Sequence, residues 1–360
     1  MIICVAIVGL ICLYQIQFAF SKKNKAALPD GIYNDYLSIE KTNSIKGIFV
    51  LLIVFSHAAS YLTLDDNILN KLYGFLNYFL IGQGIVAVFL FYSGYAMMLS
   101  GIKKGRAYIK SIPTKRILKV LLHFDIAIII FAVIQTLLGK DITLKTFLLS
   151  LIGWSSVGNS NWYIFAILVF YLITYLAFII GKDNEKIVLS IVCILTVAYI
   201  LLMRMAKEEY WYDTSLLYPL GMFWYVFKDK LEQLFKNKKL LFYAAFVLTA
   251  MLYAGSMLLS DYLVFKLVKN AALGLLIILF TMKVQVHNKI LCFFGKHLFS
   301  IYILQRIPMN VLSHFGLNSN PAVFVCLSFA ITILIAVPFD MFLNKLDSLI
   351  FNRKKLKINS

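Results

Sequence analysis

Apolar runs of about twenty residues recur along this chain from end to end, separated by short polar connections, and that pattern leaves few folds open. Eleven such segments are expected, near 2–20, 45–62, 80–100, 117–137, 161–181, 187–203, 214–228, 240–260, 267–283, 290–312 and 321–344. A helix of that length crosses a hydrocarbon layer about 30 Å thick while satisfying its own backbone groups. The expectation is an all-α integral membrane protein with about eleven transmembrane helices. A mean hydropathy of +0.83 and 61% apolar residues agree, far above a water-soluble domain of this length. No polar block is long enough to build a second core, so one membrane domain accounts for the 360 residues.

The net charge of +18 raises the question of a nucleic-acid partner, which the placement of the charge answers. With the N-terminus outside, 26 of the 35 lysines and arginines fall on inner loops and seven on outer connections, while Lys296 and Arg306 lie inside a span. The positive-inside rule accounts for that bias without nucleic acid and implies a multi-pass protein of the plasma membrane with a cytoplasmic C-terminus. Residues 346–360 are expected as a basic cytoplasmic tail, either lying on an anionic leaflet or solvated. Segment 2–20 lacks a basic n-region and a small-residue cleavage site, so a retained helix is expected over 1–24. The thirteen residues of 143–155 suit an interfacial helix on the outer face. Cys4, Cys12, Cys193, Cys292 and Cys326 lie in apolar segments without paired spacing, which argues against disulfides and a metal site.

The chemistry starts from the stretch "SIKGIFVLLIVFSH" at 44–57. Eleven residues of helix turn through about 1100°, so Lys46 and His57 share nearly one face, about 16 Å apart along the axis. A ligand touching both would be long, anionic at its inner end and reactive at its outer end, as a coenzyme A thioester is. The bland alternative is a neutral interhelical histidine and a snorkelling lysine.

"KGIFVLLIVFSH" resembles the opening signature of the acyltransferase 3 family of multi-pass membrane O-acyltransferases. Four later stretches resemble that family in the expected order: "GIVAVFLFYSGYAMML" (84–99), "YIKSIPTKRILKVLL" (108–122), "SNWYIFAILVFYLITYL" (160–176) and "FFGKHLFSIYILQRIP" (293–308). The resemblance implies a ten-helix membrane domain over 38–345, to which the first helix is an addition. The sequence departs from the family pattern in having Lys46 in place of a common arginine, Leu122 or a neighbour in place of a proline, and Gln305 in place of a frequent histidine.

An imidazole in an apolar site stays uncharged and available as a general base, which makes His57 the catalytic candidate. Ser60, at i+3, would orient the ring or bond a neighbouring backbone; Ser56 points about 100° away, which disfavours a serine acyl-enzyme. Arg116, Lys119 and His123, spaced i, i+3, i+7, would line one face at the inner end of their span and suit donor phosphates, or serve only as topogenic charge. Asp125 points to the opposite side. Ser93, Gly94 and Tyr95 would contact ligand or permit close helix packing. Tyr302, Gln305 and Arg306 share one face deep in an apolar segment, where they need partners or a cavity. Trp162 and Tyr163 are expected in an interfacial aromatic belt or, in a glycan-modifying enzyme, stacked on a sugar; Lys296 and His297 are expected to snorkel to headgroups, and Pro219 with Gly221 to kink their helix or to gate it.

The reading is an acyltransferase, specifically an O-acetyltransferase, moving an acyl group from cytoplasmic acyl-CoA, acetyl-CoA in the first instance, to a hydroxyl of an extracytoplasmic glycan or its lipid-linked precursor. His57 would be catalytic, and Lys46, Arg116, Lys119, Ser93, Tyr302, Gln305 and Arg306 would bind substrate. No bound cofactor or metal is expected; the partners are membrane lipids, acyl-CoA and the glycan acceptor, with the oligomeric state left open. The alternative is a transporter or flippase of glycan intermediates, against which no internal repeat or matched pair of interrupted helices is found.

Overall fold

A computed structural model describes residues 1–14, 16–18, 32–77, 83–182 and 184–351. In chain order it contains α1 (Ile2–Leu13), β1 (Ile16–Phe18), α2 (Ile39–Ala59), α3 (Ile68–Leu76), α4 (Gly84–Ile112), α5 (Lys119–Leu137), α6 (Leu144–Leu151), α7 (Trp162–Gly181) and α8 (Glu185–Ala206). Then follow α9 (Leu217–Asn237), α10 (Lys239–Leu258), α11 (Leu263–Lys283), β2 (Val284–Val286), α12 (Lys289–Lys296), α13 (Leu298–Leu304), α14 (Arg306–His314) and α15 (Pro321–Ile350). Each of the ten apolar segments expected after residue 44 contains a helix among its described residues, and the helix expected within 143–155 is α6. Among the described residues, seven helices are long and apolar enough to cross a membrane, counting the continuous run 84–137 once, and a bent pair, α12 with 298–314, brings the number to eight. The expected tail lies outside the described residues from 352 onward.

The expected span at 2–20 is corrected. α1 has 12 residues, about 18 Å of helix, too short for a 30 Å layer. Residues 16–18 pair antiparallel with 284–286, and Asn288 Nδ2 donates to the Ile11 and Tyr14 carbonyls, closing the helix there. Hydropathy alone does not separate an apolar strand from the helix before it.

Two proline positions set local geometry. Between α4 and α5, residues Pro113–Leu118 form a π-helical turn in which the Lys119 N–H reaches the Thr114 carbonyl. Pro113 offers no N–H to the preceding turn, and the ladder widens around it. Pro219, expected to kink a helix, sits in the first turn of α9, where its missing N–H would be unpaired anyway, so no kink forms. Gly105, at φ 60°, divides the 84–137 run into two legs.

Glycines set the closest helix crossings. Gly94 of α4 faces the Tyr218 carbonyl of α9, and Gly221 of α9 faces the Phe91 carbonyl, so a side chain at either would meet backbone. On the other side of the bundle, Gly47 of α2 rests against Leu291 of α12 and Gly295 of α12 against Asn43. Phe170 stacks on Tyr218 with centroids 4.7 Å apart in the core, whereas Ile180, Ile194, Leu202 and Leu258 are exposed, as lipid-facing positions would be.

Candidate active site

Three cavities follow one another along the helices. α4 gives their order: Gln83 and Val86 line the first, Phe89 and Ser93 the second, and Lys104, Tyr108 and Ser111 the third. The last is the basic end of the bundle.

The first cavity, about 770 Å³, is lined by His57, Arg306 and Tyr302 together with Ser160, Asn161 and Trp162 from the loop into α7. The single helix α2 carries His57 near its C-terminal end, and the Nδ1 atom is buried without a hydrogen-bond partner. Gln305 and Arg306 are its polar neighbours. Arg306 Nε donates to Ser160 Oγ at 3.0 Å, and its guanidinium lies 6.0 Å from the Tyr61 ring centroid. Ser60 does not orient the ring; its hydroxyl donates to the His57 carbonyl at 2.7 Å, completing the turn that ends α2. Ser56 lines the same cavity, but its hydroxyl donates to Asn77 Oδ1 at 3.3 Å and not to the imidazole.

The second cavity, about 190 Å³, is lined by Lys46, Ser93, Tyr163, Tyr171 and Tyr302, with apolar walls from Phe89, Ile164 and Phe299. Lys46 Nζ is 5.8 Å from the Tyr92 ring centroid, and among the described residues no carboxylate lies within ion-pair distance of it. The Ser93 hydroxyl sits against the Tyr163 and Tyr171 phenols. Lys46 and His57 therefore face successive cavities rather than one, and Tyr302 belongs to both walls. The Tyr302 hydroxyl is buried and unpartnered, and its ring meets Tyr163 edge-on at 5.7 Å.

The third cavity, about 540 Å³, brings together Lys104, Lys115, Arg116, Lys119 and Asp347. Arg116 Nε donates to the Tyr108 hydroxyl at 3.1 Å. Lys119 Nζ lies 2.5 Å from Asp347 Oδ2, and His123 Nε2 lies 2.8 Å from Asp347 Oδ1. Of the three residues expected on one face, Arg116 and Lys119 share this cavity, while Asp347 engages both Lys119 and His123, and His123 does not line the cavity. Asp125 Oδ1 is buried without a partner.

Other expectations shift as well. The face shared by Tyr302, Gln305 and Arg306 is broken, because Pro308 has no N–H for the Leu304 carbonyl and the helix restarts at Arg306. Tyr302 and Arg306 still reach the first cavity, whereas Gln305 is fully buried and donates to the Tyr302 carbonyl at 3.0 Å. Trp162 is buried in the cavity wall, not in an interfacial belt, and Tyr163 lines the second cavity. His297 does not snorkel; its ring pairs with Asp340 of α15, which also accepts from Ser300 Oγ, while Lys296 is exposed. Sequence reading missed Asp340 and Asp347. Their signal was two carboxylates seven residues apart in an apolar helix, hence on one face, each meeting a histidine.

Chemically, an unpartnered imidazole nitrogen can accept a proton inside the first cavity, and an unpartnered phenol can donate a hydrogen bond at the partition to the second. The family model for the acyltransferase 3 family, described as an acyltransferase domain, matches residues 40–341. Neither the comparison with curated proteins nor that with solved structures finds a match.

Proposed function

This chain belongs to the acyltransferase 3 family, and from that premise we propose that it moves an acyl group, acetyl in the first instance, from acyl-CoA at the basic end to a glycan hydroxyl in the His57 cavity. It is a multi-pass membrane acyltransferase; the donor, the acceptor and the plasma-membrane orientation, with the basic end cytoplasmic, are the proposal. The observation that carries it is the succession of cavities, with Arg116 in the third, Lys46 in the second and the His57 imidazole in the first. An extended carrier with phosphates at one end and a thioester at the other fits that order, since Lys46 and His57 are about 16 Å apart along α2.

In this reading Arg116 and Lys46 hold the donor. His57 Nδ1 takes the acceptor hydroxyl proton as the oxygen attacks the thioester carbonyl carbon. The Tyr302 hydroxyl donates to the oxyanion that forms, with Arg306 adding a positive field. The carbon–sulfur bond then breaks, and the imidazolium returns its proton to the departing thiolate. Direct transfer is preferred to a serine acyl-enzyme because Ser56 faces Asn77.

The rival is a flippase of glycan intermediates, which would use the 62° bend between α12 and the helices after it. Purified protein in vesicles, given acyl-labelled acetyl-CoA on the basic side and a glycan acceptor on the other, separates the two. Covalent label on the acceptor is expected; movement of unmodified lipid-linked sugar without acyl transfer would replace this reading with the rival.

A further inference from the structure

A second constellation of reactive side chains lies where α2 meets α12, and none of its members lines any of the three cavities. His287 Nε2 is 2.9 Å from Glu40 Oε1, and its Nδ1 is 3.0 Å from Ser44 Oγ and 3.6 Å from Cys292 Sγ. Ser44 Oγ is in turn 3.2 Å from Cys292 Sγ. A carboxylate only accepts, so Nε2 carries the ring hydrogen and Nδ1 presents its lone pair toward Ser44 and Cys292. Ser44 and Cys292 have one hydrogen each to give, and the Glu40 carbonyl accepts from either at 3.5 and 3.6 Å; when Ser44 donates to Nδ1, the Cys292 thiol donates to Ser44 or to that carbonyl. The result is a nucleophile, a base and an acidic group that orients the base, the arrangement that activates a thiol.

The backbone holds this geometry. Glu40 and Ser44 lie one turn apart on α2, and the Gly47 and Gly295 contacts press that turn against the first turn of α12, where Cys292 sits. Ser44 is fully buried, but Cys292 is half-buried and His287 and Glu40 keep 29% and 68% of their side chains exposed, so a reagent can reach both the sulfur and the imidazole that would serve it. None of the other four cysteines has an imidazole within hydrogen-bond distance among the described residues.

We propose that Cys292 is a covalent acyl-accepting site, taking an acyl group from an acyl thioester with His287 as its base and Glu40 orienting the imidazole. The thiol proton passes to His287 Nδ1, directly or through Ser44, as the sulfur bonds to the carbonyl carbon. The bond from that carbon to the donor sulfur breaks, and the imidazolium returns the proton to the donor thiolate. One thioester replaces another, with no change of oxidation state. The site uses the donor class of the proposed function but none of its residues, so the two stand or fall separately.

The test incubates the full-length protein in vesicles with acyl-labelled acetyl-CoA or, in a second arm, palmitoyl-CoA, and maps label released by neutral hydroxylamine. Label on the Cys292 peptide is expected in at least one arm, and the arm tells short from long acyl donors. Cys292→Ser should remove it, and His287→Gln should slow labelling about a hundredfold. His57→Ala should keep the label, which sets this site apart from the transfer reaction. Absence of label from the wild-type protein in both arms, label that survives Cys292→Ser, or an unchanged rate in His287→Gln would overturn the proposal.

Discussion

Replacing Arg116 by alanine is predicted to weaken donor binding far more than removing Lys119 and Asp347 together, although both positions line the same cavity. The structure sets the difference. Arg116 bonds a neutral phenol, and among the described residues no carboxylate pairs with it, so its full charge faces the cavity. Losing one charge-assisted hydrogen bond to a phosphate costs about 1.5–3 kcal/mol, or about 10- to 150-fold in donor affinity. Lys119 instead lies 2.5 Å from a carboxylate whose side chain is 10% exposed. Lys119→Met combined with Asp347→Asn removes the pair without altering net charge, and because the two charges already cancel toward the cavity, donor affinity should stay within about threefold. Asp347→Asn alone frees the Lys119 charge and should tighten donor binding. Titration of solubilised protein with coenzyme A measures all three, and a thermal scan detects any loss of the α5–α15 anchor. A double variant as weak as Arg116→Ala would refute the assignment of charge in this cavity.

Tyr302→Phe should lower kcat by about 10²–10³ with donor KM nearly unchanged, as loss of an oxyanion donor does; a rise in KM with kcat intact would make Tyr302 a binding residue only. Gly221→Ala should lower the Tm by forcing α9 from the Phe91 carbonyl at a cost of about 1–3 kcal/mol, whereas Gly255→Ala, with open space around it, should not; equal effects would contradict the close crossing. On the connection between α8 and α9, burial pushes the Asp213 carboxyl up to about 7 from its ordinary 3.8. Between those values the folded chain holds a proton that the unfolded chain has lost, so stability should fall as pH rises from about 4 to 7; Asp213→Asn should flatten that profile in thermal scans, and an unaltered profile would exclude Asp213 as its source.

Much of the architecture was legible because a membrane imposes one length and one polarity on every crossing helix. Lys46 and His57 were legible for the same reason: both sit on one uninterrupted helix, so their spacing converts directly into geometry. What escaped depended on partners far apart in sequence or on local breaks in periodicity. Asp347 meets His123 across 224 positions, which no helical period encodes. The restart at Arg306 shifts a face that an uninterrupted helix would have kept aligned. Trp162 looked interfacial because it opens a span, yet the loop before it folds inward and makes the residue part of a cavity wall. The end of α1 was hidden because residues 16–18 pair with a strand near residue 285.

The central claim, that the His57 imidazole performs the proton transfer, is tested most directly by the rate of acyl transfer from labelled acetyl-CoA to acceptor in wild-type and His57→Ala vesicles containing equal protein. A loss of about 10²–10⁴-fold is expected in the variant, with donor binding retained. Transfer by His57→Ala at the wild-type rate would contradict it.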